Sequence, residues 1–297
     1  MIISGREILQ MAGTSINDAH VQASMAMMIE AASMAGNGSA ALLGCGRGSE
    51  IPVRQLARKF DRLDCVDLDS DALRILETRC RHWEDSQGRC CFYYSDLTGL
   101  IPQIVPQAQK MVAASFDPLF CLYRLGTLLT SAQPDFWKLS SSEKYSLVIC
   151  SAVLTQLQAT VRKSVENIFL DRFPGQASAL FSYEPWKTAI WSFARDLEDA
   201  FILHLESLCH PEGIIYLSDT VHVCWLQQTG PDVFTTEGAW VATRTSRLAD
   251  YLRARNEIIT ERQWRWMRAE QEGPYCGRLY GVQAIIYRKG ESERRLP

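Results

Sequence analysis

The chain has 297 residues, of which 47% are hydrophobic and 22% charged, a composition that excludes general disorder and supplies apolar material for one large domain with insertions. A formal net charge of −3 and a pI near 6.0 argue against the broad basic surface of a nonspecific polyanion binder, so nucleic acid is not an expected partner. No apolar run approaches the roughly 18 to 20 residues a membrane helix requires.

Met1 to Gln10 carries Arg6 and Glu7 instead of a signal-peptide apolar core, and a soluble cytoplasmic protein is expected. Ser15 to His20 reads as a helix start with Ser15 or Asn17 as cap. Val21, Met25, Met28, Ile29 and Ala32 follow at helical spacing. Residues 1–36 are read as an N-terminal helical cap and 37–297 as the main domain.

The most informative stretch begins at Ala40. Ala40 to Leu43 is a short continuous apolar run suited to a buried parallel strand. Gly44-Cys45-Gly46-Arg47-Gly48 then allows tight turns and close approach of backbone to ligand. Ser49 to Phe60 is read as a helix with Pro52 in its first turn, its opening N–H groups facing a carboxylate or phosphate. Leu63 to Val66 is the next strand, ending in Asp67, where an acid commonly accepts ribose hydroxyls.

The dinucleotide fingerprint G-x-G-x-x-G would place its third glycine at Ser49, whereas this chain reads G-x-G-x-G. That pattern resembles motif I of the class I S-adenosylmethionine-dependent methyltransferases. The resemblance continues downstream. Asp67-Leu68 matches the family's second-strand end, and Asp96 in Tyr93-Tyr94-Ser95-Asp96-Leu97 falls where the family's acid meets the adenine amino group, with Leu97 offering a backbone N–H. Lys144 to Leu154 resembles the fourth strand, with Ser146 at the family's usual aspartate. An amphipathic helix over Asp196 to Cys209 leads through His210-Pro211-Glu212-Gly213 into a fifth strand, Ile214 to Asp219. A helix over Arg247 to Ile258 is followed by strands over Ile259 to Arg268 and Arg278 to Arg288, with turn chemistry at Gln271 to Pro274. This terminal antiparallel hairpin is a feature of the family that the dinucleotide-binding fold ordinarily lacks.

The resemblance implies an α/β, Rossmann-like, seven-stranded and mostly parallel sheet closed by that hairpin, with helices on both faces. It implies S-adenosyl-L-methionine as cofactor, bound by Gly44, Cys45, Gly46, Gly48, Asp67, Leu68, Asp96, Leu97 and Ser151. Helical insertions at about 99–143 and 158–193 would cap a small-molecule acceptor, methylated on an O, N or C atom, and a homodimer is possible. The aromatic stretches around Phe116, Tyr123, Tyr183 and Trp186 are candidate acceptor-binding walls. His222 past the fifth strand, His20 on the N-terminal helix and Glu184 are candidate general bases. The ten cysteines include no C-x-x-C pair, and the adjacent Cys90 and Cys91 point to opposite faces of a strand, so buried free thiols are expected and no metal site. Two other readings stand beside this one: a nicotinamide-dependent oxidoreductase, and a noncatalytic ligand-binding or interaction protein on the same fold, motivated by Leu42 and Ser146 where the family commonly has acids.

Overall fold

The computed structural model describes residues 2–3, 15–83, 88–138, 143–230, 233–242, 247–272 and 275–290. The chain divides into two compact units: residues 1–93, 143–153 and 208–297 form the first, and 94–142 with 154–207 the second.

The first unit is built on a nine-stranded sheet. Its parallel strands β2 (Ser39–Leu43), β3 (Arg62–Asp67), β5 (Tyr145–Ser151) and β6 (Cys209–Gly230) run in the order β3-β2-β5-β6, with β4 (Cys90–Tyr94) beside β3. Beyond β6 the sheet closes with β9 (Tyr275–Lys289) antiparallel to β6 and β8 (Asn256–Glu272) antiparallel to β9. The expected seven strands and the closing antiparallel hairpin are therefore present. Both faces of β2, of β5 and of residues 214–219 in β6 are buried, as apolar runs without polar alternation require.

Helices α1 (Ser15–Met34), α2 (Val53–Lys59) and α3 (Ser70–Arg81) share one core with Ala40, Leu42, Leu63, Cys65, Leu147, Ile149, Ile214, Tyr216, Ala284 and Ile286. These alternate positions form one face of the sheet. Asp69 caps α3 by accepting the N–H groups of Asp71 and Ala72 at 3.0 and 2.9 Å.

Several sequence readings are corrected here. The helix after the glycines begins at Val53, not Ser49, because the chain first leaves three left-handed turns; Pro52 is its cap residue, with φ −77° and ψ 54°. With seven residues, α2 provides no helix-terminal anion site. The buried stripe of α1 is His20, Ser24, Met27, Met28, Ala31 and Ala32, whereas Ile29 is 43% exposed. The helix read at Arg247 to Ile258 spans only Leu248–Arg253, since Asn256 already pairs in β8. The turn read at Gln271 to Pro274 falls partly within β8, and residues 273 and 274 lie outside the described residues.

The largest addition is at β6. It continues past Asp219 to Gly230, and its distal half pairs with β7 (Val233–Ala242) on the edge where β5 pairs with the proximal half. Ile2–Ile3 (β1) adds to β7.

The second unit is helical: α4 (Ile101–Ala113), α5 (Pro118–Ser131), α6 (Leu154–Arg172), α7 (Ala177–Ser182) and α8 (Glu184–Leu208), the last much longer than the Asp196 to Cys209 expected. Asp117 caps α5 with Pro118 at its first position. Gly126 lets α5 approach α8 so closely that an added Cβ would lie 2.9 Å from Ala189 Cβ.

Candidate functional site

The glycine loop leaves β2 at its carboxyl end. Gly44, Gly46 and Gly48 have φ of +70°, +50° and +64°, a left-handed alternation that side-chain-bearing residues adopt only at a cost. A Cβ on Gly44 would sit 2.2 Å from Val153 Cγ2, and one on Gly48 2.7 Å from Leu76 Cδ1. An added Cβ at Gly46 would meet no atom of the described residues within 4 Å, so this glycine borders open space.

Asp67 fastens the loop. Its Oδ2 accepts the Gly46 N–H at 2.6 Å and its Oδ1 the Asp69 N–H at 2.8 Å. The Gly44 and Cys45 N–H groups donate to the Val66 carbonyl, and the Gly48 N–H to the Cys45 carbonyl. Most of the loop's donors are thus committed within the loop and β3, which leaves little of the N–H cradle a diphosphate needs. Cys45 is 4% exposed and packs with Cys65 in the core, so its part in the site is through its backbone. The Cys45 thiol and burial both push the Cys65 thiol up, and it stays neutral.

At the end of β5, Ser151 Oγ lies 3.0 Å from Ser218 Oγ on β6. Ala152 follows with φ 54°, among the described residues the only non-glycine at positive φ, held by its N–H donating to the Ser218 carbonyl at 2.8 Å. Ala152→Gly should therefore stabilise the protein by about 0.5–1 kcal/mol, the left-handed strain exceeding the added chain entropy. A urea midpoint that does not rise would contradict strain at this position.

Asp96 and Leu97 belong to the second unit. Asp96 Oδ1 accepts the Thr98 N–H and hydroxyl at 2.9 and 2.8 Å, and Oδ2 accepts the Ile101 N–H at 2.9 Å. The carboxylate thereby shapes the turn into α4. The Leu97 carbonyl accepts the Trp137 N–H.

The three candidate bases fare differently. His20 is 5% exposed; its Nδ1 accepts from Trp264 Nε1 at 2.7 Å, and its Nε2 faces Glu50 Oε2 at 3.3 Å. Indole nitrogen only donates, so the ring proton of His20 sits on Nε2, toward Glu50. Both nitrogens are engaged, the ring stacks on Trp266 at 4.7 Å, and His20 ties α1 to the loop and to β8. Glu184 is exposed and ion-paired with Lys187 one turn along α8. His222 lies within β6, not past its end, paired with Ala242 on one side and Gly281 on the other. It lines a cleft of about 320 Å³ together with Gln263, Arg265, Gly281 and Val282.

The four aromatic acceptor candidates do not share one environment. Trp186 is 2% exposed and packs in the second unit's core, whereas Phe116 is 91% exposed and Tyr123 55%. Tyr183 is half-buried at the end of α7.

One buried ionic network escaped the sequence reading. Asp64, fully buried in β3, accepts from Tyr145 Oη at 2.6 Å and from Arg62 Nε at 2.8 Å, and Arg62 donates on to Tyr93 Oη at 2.6 Å. Burial and the Asp64 carboxylate both push the Tyr145 phenol up, so it remains a donor. The signal was a lone acid inside an apolar strand, which demands a partner. Tyr216 Oη is also buried, and burial pushes its phenol up, opposed by the hydroxyls of Ser218 and Ser24.

No metal-binding cluster of histidine, cysteine or acid side chains occurs among the described residues, and no described helix is long and apolar enough to cross a membrane.

No protein-family model and no curated protein matches the chain by sequence. Solved structures similar to it include a SAM-dependent methyltransferase from Methanosarcina mazei, at 13% identity over 89% of this chain and 96% of that one, with a TM-score of 0.41. Magnesium protoporphyrin IX methyltransferase from Synechocystis PCC 6803, with bound SAM, is 12% identical over 92% of this chain and 80% of its own, at a TM-score of 0.41. A S-adenosylmethionine-dependent methyltransferase from Clostridium acetobutylicum is 10% identical over 96% and 97%, at 0.39. Similarity at this level carries no functional argument; the strand order and the antiparallel β8–β9 closure carry the fold.

Proposed function

We propose, starting from the class I methyltransferase fold of this chain, that it is an S-adenosyl-L-methionine-dependent methyltransferase acting on an O, N or C atom of a small molecule. The observation that carries the reading is the glycine loop fastened to Asp67 beside open space at Gly46, at the carboxyl ends of β2 and β3. Ligands of open α/β sheets bind at such strand ends. The fit is chemical as well as steric: the cofactor carries no phosphate, and a loop with most of its N–H groups committed suits it better than it suits a dinucleotide.

In this reading Gly44, Gly46 and Gly48 allow the backbone to approach the cofactor, and Asp67 exchanges its Gly46 bond for the ribose hydroxyls with Leu68 alongside. S-adenosylmethionine supplies an electrophilic methyl group on sulfonium. The protein's part is to hold the acceptor atom in line with it and to exclude water. We assign His222 the base role for a hydroxyl acceptor, because it lines a cleft.

Asp67→Ala should weaken S-adenosylhomocysteine binding by about 1.5–3 kcal/mol, the worth of hydrogen bonds to a charged group. Equal affinity of the variant and the parent protein, measured by calorimetry, would remove Asp67 from the site.

A further inference from the structure

The strand registers set Gly44, Asp67 and Ser151 one step beyond the aligned Leu43, Val66 and Cys150, so these three positions form a row along the carboxyl edge of β3, β2 and β5. Ser218 of β6, paired with Ser151, continues the row. Alternation places it on the same face as Cys65, Leu42, Ile149 and Tyr216, the face that α1 covers. From Asp67 to Ser151 is two strand steps, about 10 Å. A cofactor with its ribose at Asp67 and its chain along this row brings its methionine end to the β5 and β6 side.

Glu50 acts on that side. It leaves the glycine loop just after Gly48 and Ser49, and its Oε2 lies 3.3 Å from His20 Nε2. Burial, aided by the Glu50 carboxylate, pushes the Tyr216 phenol up to about 12, and Tyr216 precedes Ser218 on β6 by one pleat. The carboxylate is therefore within electrostatic reach of the β6 end of the row.

Its support is unusually well fixed for a loop acid. His20 is 5% exposed, stacks on Trp266 and accepts the Trp264 indole N–H at 2.7 Å on Nδ1, which leaves its proton on Nε2 for Glu50. A neutral imidazole aims the carboxylate without cancelling its charge. The Glu50 side chain is still 36% exposed. A carboxylate held in this way at the edge of a ligand site suits a cationic group.

We infer that Glu50 binds the ammonium group at the methionine end of the cofactor, and that His20 is the residue that positions it. The inference rests on the methyltransferase reading. It makes the site select ligands that carry the amino-acid group over adenosyl compounds that lack it, because only the former meet the carboxylate.

The test is calorimetry on the full-length protein with S-adenosylhomocysteine and with methylthioadenosine, which keeps adenine, ribose and sulfur but has no amino-acid group. The parent protein is expected to bind S-adenosylhomocysteine about tenfold more tightly or better. Glu50→Gln is nearly isosteric at a half-exposed position; it should lose about tenfold in S-adenosylhomocysteine affinity and keep that for methylthioadenosine. His20→Ala should shift the ratio of the two affinities in the same direction, a change that a merely structural role would not produce; an equal loss of both ligands would remove it from the positioning role. S-adenosylhomocysteine binding unchanged in Glu50→Gln, or an equal loss of both ligands there, would overturn the inference and leave the methyltransferase reading standing. Absence of S-adenosylhomocysteine binding to the parent protein would overturn that reading and the inference with it.

Discussion

Asp64→Ala is expected to destabilise the protein by about 3–4 kcal/mol, the largest single effect we anticipate in the first unit. The carboxylate is fully buried and serves two donors, Tyr145 Oη at 2.6 Å and Arg62 Nε at 2.8 Å. Replacing a whole buried ion pair by apolar residues is often neutral, but removing one member strands the other. Arg62 is one-third exposed and can turn toward water, so most of the damage falls on the phenol of Tyr145, which is left buried without an acceptor. Adding Tyr145→Phe to the Asp64 variant should therefore recover about 2 kcal/mol. Urea denaturation of the single and double variants measures both values. A loss below about 1 kcal/mol for Asp64→Ala would mean the network contributes little to stability.

Gly44→Ala should be the second large effect, about 3 kcal/mol, from left-handed backbone strain and from collision with the stiff, β-branched Val153. The added carbon would lie 2.2 Å from Val153 Cγ2. Gly46→Ala separates folding from binding. It carries the φ penalty of about 1–2 kcal/mol but meets no atom within 4 Å. The Gly46 variant should fold and yet lose S-adenosylhomocysteine affinity by about tenfold or more, because its methyl group occupies the space left for the cofactor. If Gly44→Ala is as stable as the parent, or Gly46→Ala binds as well, the loop does not act as described.

The sheet was legible because β2, β3 and β5 are short, mainly apolar runs. The geometry of the candidate site was legible where backbone conformation restricts residue type: three glycines at left-handed φ and an acid at the next strand's end. The misreadings have local causes. Ser49 to Pro52 has helix-compatible residues, but the turn out of Gly48 uses them before α2 can start. The inward face of α1 contains His20 and Ser24, polar residues that a search for apolar periodicity passes over; their burial depends on Trp264 and on the sheet beneath, which no local pattern reveals. Val221 to Leu226 has the β-branched and aromatic character of a strand, yet an extension of β6 to 22 residues is far outside ordinary strand length and needs β7 and β9 to hold it. The Asp64 network joins residues 81 positions apart, a partnership set by the parallel order of the sheet.

The central claim is most directly tested by calorimetric titration of the purified protein with S-adenosylhomocysteine and S-adenosylmethionine, with NAD as control. Micromolar binding of both adenosyl ligands and no heat from NAD is the expected result. Silence with both adenosyl ligands, or binding of NAD alone, would contradict it.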